Sequence, residues 1–193
     1  MRLNFRHFLI FLLIVLASVG FGIGFDAVAT AIEKHTYPID ESLSADVSEN
    51  AAEFGIPEAV LWGFVHTQSG FSSNKVSADG SIGLTQLTPE EFSMILEDVL
   101  KEEAQSADML YAPKTNLRCG AAYLSYLYHR YGKWETAFAA YEIGTDTVDA
   151  WLLDPTLTDE HGTLARIPDE SLAEHAKKAV SACEYYQRLY YES

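Results

Sequence analysis

Basic residues are scarce in this chain. Thirteen lysines and arginines stand against 28 aspartates and glutamates, for a formal net charge of −15. Arg2 and Arg6 precede every acid, so from Asp26 onward 28 acids meet only 11 bases, a net charge of −17. Binding a polyanion needs a basic face, which argues against nucleic acid as a partner. Adhesion to anionic lipid or teichoic acid is disfavoured except through local patches, and the simple reading of so much acid is a solvated, self-repelling surface. The six histidines are scattered, without H-x-x-x-H or H-E-x-x-H spacing, so no metal site is expected. No P-loop, dinucleotide fingerprint or Ser-His-Asp order is present, and no cofactor is expected. Internal repeats and low-complexity segments are absent as well.

One long apolar run is present. Phe8 to Phe25 carries no charge and follows Arg2, Arg6 and His7. Eighteen residues at helical rise span about 27 Å, just short of the ~30 Å hydrocarbon core. Positive charge before the run and acid after it predict the N-terminus inside and the remainder outside the cytoplasm. The length favours an uncleaved transmembrane anchor. A cleaved signal peptide is the alternative, because Ala27-Val28-Ala29 and Ala29-Thr30-Ala31 both fit small-x-small cleavage sites. Residues 1–29 are thus read as membrane anchor or signal peptide, 30–45 as a polar linker, and 46–193 as one exported domain. Cysteine is nearly absent: Cys119 and Cys183 are the only two. An oxidising compartment permits a disulfide between them, which is favoured over two buried thiols. Closing so long a loop would stabilise the fold by roughly 4 kcal/mol.

The exported part reads as mainly α-helical. A first helix is expected from Asp46 to Phe54, stopped by Gly55, and a second from Ile56-Pro57 to Gln68, apolar on nearly every side and therefore central. Gly80 and Gly83 fall in an irregular, turn-like segment. Thr88-Pro89-Glu90-Glu91 is a capping box that opens a third helix running to about Gln105. A fourth begins at Asn116 and stops at Gly132, with Leu117, Ala121, Leu124, Leu127, Tyr128 and Tyr131 on one stripe. Shorter helices are expected at Trp134–Glu142 and Thr147–Leu152, then a surface loop from Asp154 to Ile167. A final helix after Pro168 turns Leu172, Ala176, Ala179, Val180, Cys183, Tyr186 and Tyr190 inward.

Several blocks in this domain carry chemistry. They are AVLWGFVHTQSGF (Ala59 to Phe71), SADGSIGLTQLTP (Ser77 to Pro89), Asn116-Leu117 with Gly120, Tyr123 and Leu124, and AFAAYEIG (Ala137 to Gly144), continued by Trp151 and Ile167-Pro168. In order and spacing they resemble the signature blocks of the soluble lytic transglycosylases, relatives of goose-type lysozyme. The resemblance covers about Asp46 to Tyr190. It implies a lysozyme-like helical domain with a cleft for alternating N-acetylglucosamine and N-acetylmuramic acid. In active members one glutamate protonates the leaving oxygen and then deprotonates the muramic C6 hydroxyl, giving a 1,6-anhydro sugar. Such chemistry needs a protonatable carboxyl with a raised pKa, and the family has no second acid to replace it.

This chain departs from the pattern at chemical positions. Gln68 stands where the family's E-S-x-F block has glutamate, and a carboxamide has no proton to give at ordinary pH. Thr85 replaces a methionine, Ser81 an alanine, and Glu142 the asparagine after Tyr141. Ala112 stands where an aspartate often precedes proline, and Ser171, Leu172 and Ala173 fall where the family shows E-T-R. By the resemblance, Ser77, Gln86 and Tyr141 are cleft residues that bind sugar; ordinary loop and core hydrogen bonding is the equal alternative. Glu142 is a substitute acid only if it points into the cleft; a surface or structural place is favoured. His66 points away from Gln68 on its helix. The expectation is a membrane-anchored, extracytoplasmic domain that binds peptidoglycan strands without normal catalysis. An active lyase using Glu142, and a protein-binding scaffold of the cell envelope, are the alternatives.

Overall fold

The computed structural model describes residues 27–192; the apolar run Phe8–Phe25 lies outside them. Among the described residues no helix is long and apolar enough to cross a membrane. The chain divides into two units, Met1–Pro38 and Ile39–Ser193. In the first, residues 27–36 are helical, with Thr36 Oγ1 bonding back to Ile32 O at 3.1 Å. The polar stretch read as a linker therefore contains helix.

Among its described residues the second unit opens with a 3₁₀ turn, Glu41–Leu43, and then runs through seven α-helices. They are α1 (Ser44–Phe54), α2 (Glu58–Ser69), α3 (Pro89–Met94, extended by a π-turn at Ile95–Leu100), α4 (Pro113–Tyr131), α5 (Trp134–Ile143), α6 (Thr145–Leu152) and α7 (Glu170–Tyr186, extended by a π-turn at Gln187–Tyr191). Their starts and stops follow local chemistry. Thr88 and Glu91 form the expected reciprocal capping box, and Gly55, Gly70 and Gly132 end α1, α2 and α4. The third helix stops well short of Gln105, at Lys101 with φ 57°. The six residues after Leu100 have no long apolar side chain to bury, and the chain instead makes a 3₁₀ turn at Ala107–Tyr111 that buries Leu110. Pro113 at the first position starts α4 one turn earlier than Asn116, because a missing N–H costs nothing there.

Helix α2 is the centre, as its uniform hydrophobicity requires. Leu61, Trp62, Phe64 and Val65 are at most 2% exposed, and α2 packs chiefly on α7. That approach depends on Gly63: a Cβ there would lie 2.5 Å from Cys183 N. Phe64 stacks on Phe138 of α5 (5.8 Å between centroids) and meets Tyr141 edge-on at 4.8 Å, joining α2 to α5.

The expected disulfide is not formed. Cys119 and Cys183 are free, buried thiols. They belong to different helix contacts. Cys183 on α7 faces α2, its Sγ 3.5 Å from Val60 O, whereas Cys119 on α4 lies with Leu96 and Arg118. Burial pushes both thiols up, Cys119 to about 11 and Cys183 to about 12.

Candidate active-site cleft

Helices α2, α5 and α7 and the segment between α2 and α3 enclose a polar cavity of about 200 Å³. The segment is stitched by short bridges, Val76 to Ile82 and Ile82 to Leu87. Asn116 of α4 pins it from below: its Nδ2 donates to Ile82 O and Leu110 O, and its Oδ1 accepts from Thr85 N and Thr85 Oγ1. Every donor and acceptor of that buried amide is used. Thr85 lies directly on Gly120, where a Cβ would come within 2.4 Å of its side chain. The glycine is needed for this close approach.

All three residues expected to bind sugar line the cavity, and each is already hydrogen-bonded within the protein. Gln86, in the left-handed region at φ 53°, donates from Nε2 to Gly83 O and Lys75 O while its Oε1 accepts from Ser77 Oγ. These bonds hold a conformation that is costly for a residue with a Cβ. Tyr141 is 3% exposed and donates to Thr85 O at 3.0 Å. Burial raises its pKa well above the ordinary tyrosine value. Ser77, Gln86 and Tyr141 thus shape the wall of the cavity.

The chemical centre lies where α2, α5 and α7 meet. Gln68, on the last turn of α2 and 8% exposed, donates from Nε2 to Glu142 Oε1. Its backbone carbonyl accepts from Lys75 Nζ. Glu142, expected at the surface or in a structural place, faces this cavity with its side chain about a third exposed. His175 of α7 completes the group, with Nε2 3.6 Å from Glu142 Oε1. Burial acts to raise the Glu142 carboxyl, but His175 and the Gln68 amide outweigh it and hold the group below its ordinary pKa. Glu142 in turn holds His175 above its ordinary value, against burial and the charges of Lys178 and Lys75. At neutral pH Glu142 is therefore an anionic acceptor, not a proton donor. Asp79, bonded to Ser81 N and Oγ, is likewise held below the usual carboxylate range.

Sequence reasoning missed His175 and Lys75. His175 had a signal: it lies three residues after Leu172 and four before Ala179, on the inward stripe of α7. Lys75 had none, since its place depends on the turn after Gly70. His66 is not in the cavity; it stacks on Phe71 and meets Tyr186 edge-on, and burial lowers its pKa. Among the described residues no group of three His, Cys, Asp or Glu side chains converges as metal ligands.

The sequence model of the transglycosylase SLT domain matches residues 46–160, more than half of the chain. The chain belongs to this family. Membrane-bound lytic murein transglycosylase C of Yersinia pestis is 30% identical over 89 residues, 44% of this chain and 24% of that protein. Among solved structures, an inactive glutamate-to-glutamine mutant of lytic transglycosylase Slt from Pseudomonas aeruginosa superposes with a TM-score of 0.67 at 25% identity. It covers 79% of this chain and 24% of its own. The 70 kDa soluble lytic transglycosylase of Escherichia coli gives 0.71 at 22% identity over 81% of this chain and 25% of its own. The fold of this SLT domain is thus the lysozyme-like one, and the chain spans about a quarter of the length of these relatives. Most of the residues that line the cavity fall within the matched residues 46–160, with His175 beyond them.

Proposed function

We propose that this SLT domain binds peptidoglycan glycan strands outside the cytoplasm, held at the membrane by its N-terminal segment, and does not cleave them in the family's manner. The observation that carries the reading is the Gln68–Glu142 hydrogen bond. The position of the family's acid holds an amide, and the one carboxylate beside it is kept ionised. Neither group can protonate a glycosidic oxygen at neutral pH, a step worth roughly 10²–10⁴-fold in rate. Ground-state binding depends less on that proton than cleavage does, and the cavity retains acceptors and donors suited to sugar hydroxyls. The Pseudomonas relative carrying a glutamate-to-glutamine change is described as inactive, which agrees with this reading. Extracytoplasmic placement is supported by the relatives' description as membrane-bound.

A second reading is favoured by one observation: Glu142 faces the cleft beside Gln68. An active lyase would use Glu142 as its base and need a proton from elsewhere. A muropeptide digest separates the two. The natural chain is expected to release no anhydro-muropeptides above background and to be retained on insoluble peptidoglycan. Product that survives repurification and vanishes in Glu142→Gln would establish the lyase. A chain left wholly in the supernatant at low salt would favour a protein-binding scaffold.

A further inference from the structure

Among the described residues, one buried side-chain nitrogen has no hydrogen-bond partner: Nε2 of His175. Buried polar groups nearly always find partners, and one left open calls for an explanation. The acceptor beside it is Glu142 Oε1, 3.6 Å away, an ion-pair distance that is too long for a hydrogen bond. That same oxygen already accepts from Gln68 Nε2. Two donors, one from α2 and one from α7, thus converge on a single carboxylate oxygen of α5, and the amide holds it.

Which donor prevails depends on the charge of His175. A neutral imidazole carries its one proton on either nitrogen, whereas an imidazolium always has one at Nε2. The imidazolium also adds the attraction of opposite charges to its hydrogen bond, which the uncharged Gln68 amide lacks. Nε2 needs to come only about 0.8 Å nearer to reach hydrogen-bond length. The surroundings favour the charged form on balance. Glu142 holds His175 above its ordinary value, while burial, Lys178 of the same helix and Lys75 of the turn after α2 act against it. Asp79 and Glu91 line the same cavity.

We propose that His175 is a positioning residue of this cleft: once protonated it takes Glu142 Oε1, and the Gln68 amide is released to hydrogen-bond a ligand in the cavity. Gln68 lines that cavity, and its carboxamide both donates and accepts, so the released group suits an uncharged partner carrying carbonyl and hydroxyl groups. By linkage, ligand binding and protonation of His175 favour one another. Affinity is then highest below the His175 midpoint and falls as pH rises through it, with Glu142 ionised throughout. The ligand half of the proposal rests on the glycan-binding reading above; the exchange of donors does not.

Two readouts on the full chain separate these halves. The first follows the Gln68 side-chain amide by NMR from about pH 8 to about pH 5.5, with Gln68→Ala assigning its signals and the His175 ring titrated alongside. Loss of the carboxylate acceptor should move the amide protons upfield with the midpoint of the His175 ring, and His175→Gln should remove the movement. Amide protons that stay in place, or move downfield, overturn the exchange. The second readout is affinity for the hexasaccharide of N-acetylglucosamine. It is expected to be about three- to tenfold tighter at the acid end than at pH 8, and equal at both in His175→Gln. A hexasaccharide that the natural chain binds equally at both ends overturns the positioning role and leaves the glycan-binding reading standing. A pH dependence that survives intact in His175→Gln belongs to another group and also overturns the proposal. No binding at either end, with the amide still moving, ends the glycan-binding reading and supports the exchange.

Discussion

Gln68 and Glu142, 74 residues apart in sequence, share one hydrogen bond at the centre of the cleft, amide nitrogen to carboxylate oxygen. The pairing is complementary: an acceptor-only anion meets a group that can donate. The two side chains are therefore one structural unit, with His175 as its third member.

Reverting one half of that unit should fail. Gln68→Glu puts two carboxylates within hydrogen-bonding distance, and they must share a proton. One of the pair then has a folded-state pKa raised above its unfolded value. Its favourable contribution is present at acid pH and lost as pH rises through the raised value. Gln68→Glu alone should lose about 1–3 kcal/mol at neutral pH and regain it toward pH 4–5. Chemical denaturation at several pH values measures this. Adding Glu142→Asn should relieve the loss, and only the double variant is expected to release detectable anhydro-muropeptides.

The Glu142–His175 pair predicts a stability window. Glu142 is depressed from its ordinary value of 4.5, so its contribution is present above that pH and lost as pH falls through the depressed value. His175 is raised from 6.5, so its contribution is full below 6.5 and lost as pH rises through the raised value. The pair stabilises most between about pH 4.5 and 6.5. Both groups are about a third exposed, so screening limits the effect to about 1 kcal/mol or less. Thermal melts of wild type and Glu142→Gln should differ by at most about 2–4 °C in that window, and less at pH 8.

Thr85 should resist replacement by methionine. It is fully buried, donates to Asn116, and lies on Gly120. Thr85→Val keeps the shape and loses the hydroxyl, with an expected cost of about 1–3 kcal/mol. Thr85→Met adds length against Gly120 and should cost at least as much through overpacking. Equal stability of all three proteins by urea denaturation would show that the Asn116 staple is unimportant.

Helix α4 begins without a side-chain cap, because Ala112 occupies the N-cap. Ala112→Asp should stabilise by about 0.5–2 kcal/mol, read as a rise in melting temperature. No gain would mean that the first-turn N–H groups are already satisfied.

Two thiols should react with alkylating reagent in the denatured, unreduced protein, and almost none in the native one. Cys119 and Cys183 are buried, and the thiolate that reacts is suppressed by pKa values near 11 and 12. Reactivity appearing only after reduction would restore the disulfide.

Much of this fold was legible because its signals are local. The Thr88–Glu91 capping box, the glycines ending α1, α2 and α4, and the all-round hydrophobicity of α2 act within a few residues of one another. The third helix was read too long since nothing local opposes helix through Lys101–Gln105; what stops it is the absence of anything there to bury. The disulfide was misread for a related reason. Two cysteines in helices satisfy a composition argument, but a bridge depends on which helix each side chain faces.

By itself the sequence determined the family and the helical architecture, because motif order and residue periodicity carry those directly. Tertiary structure decided the electrostatics. Whether Glu142 is a surface charge or a partner of Gln68, and whether His175 matters, depends on three helices meeting at one point. A carboxylate's proton affinity is set by neighbours distant in sequence, through desolvation and opposite charge.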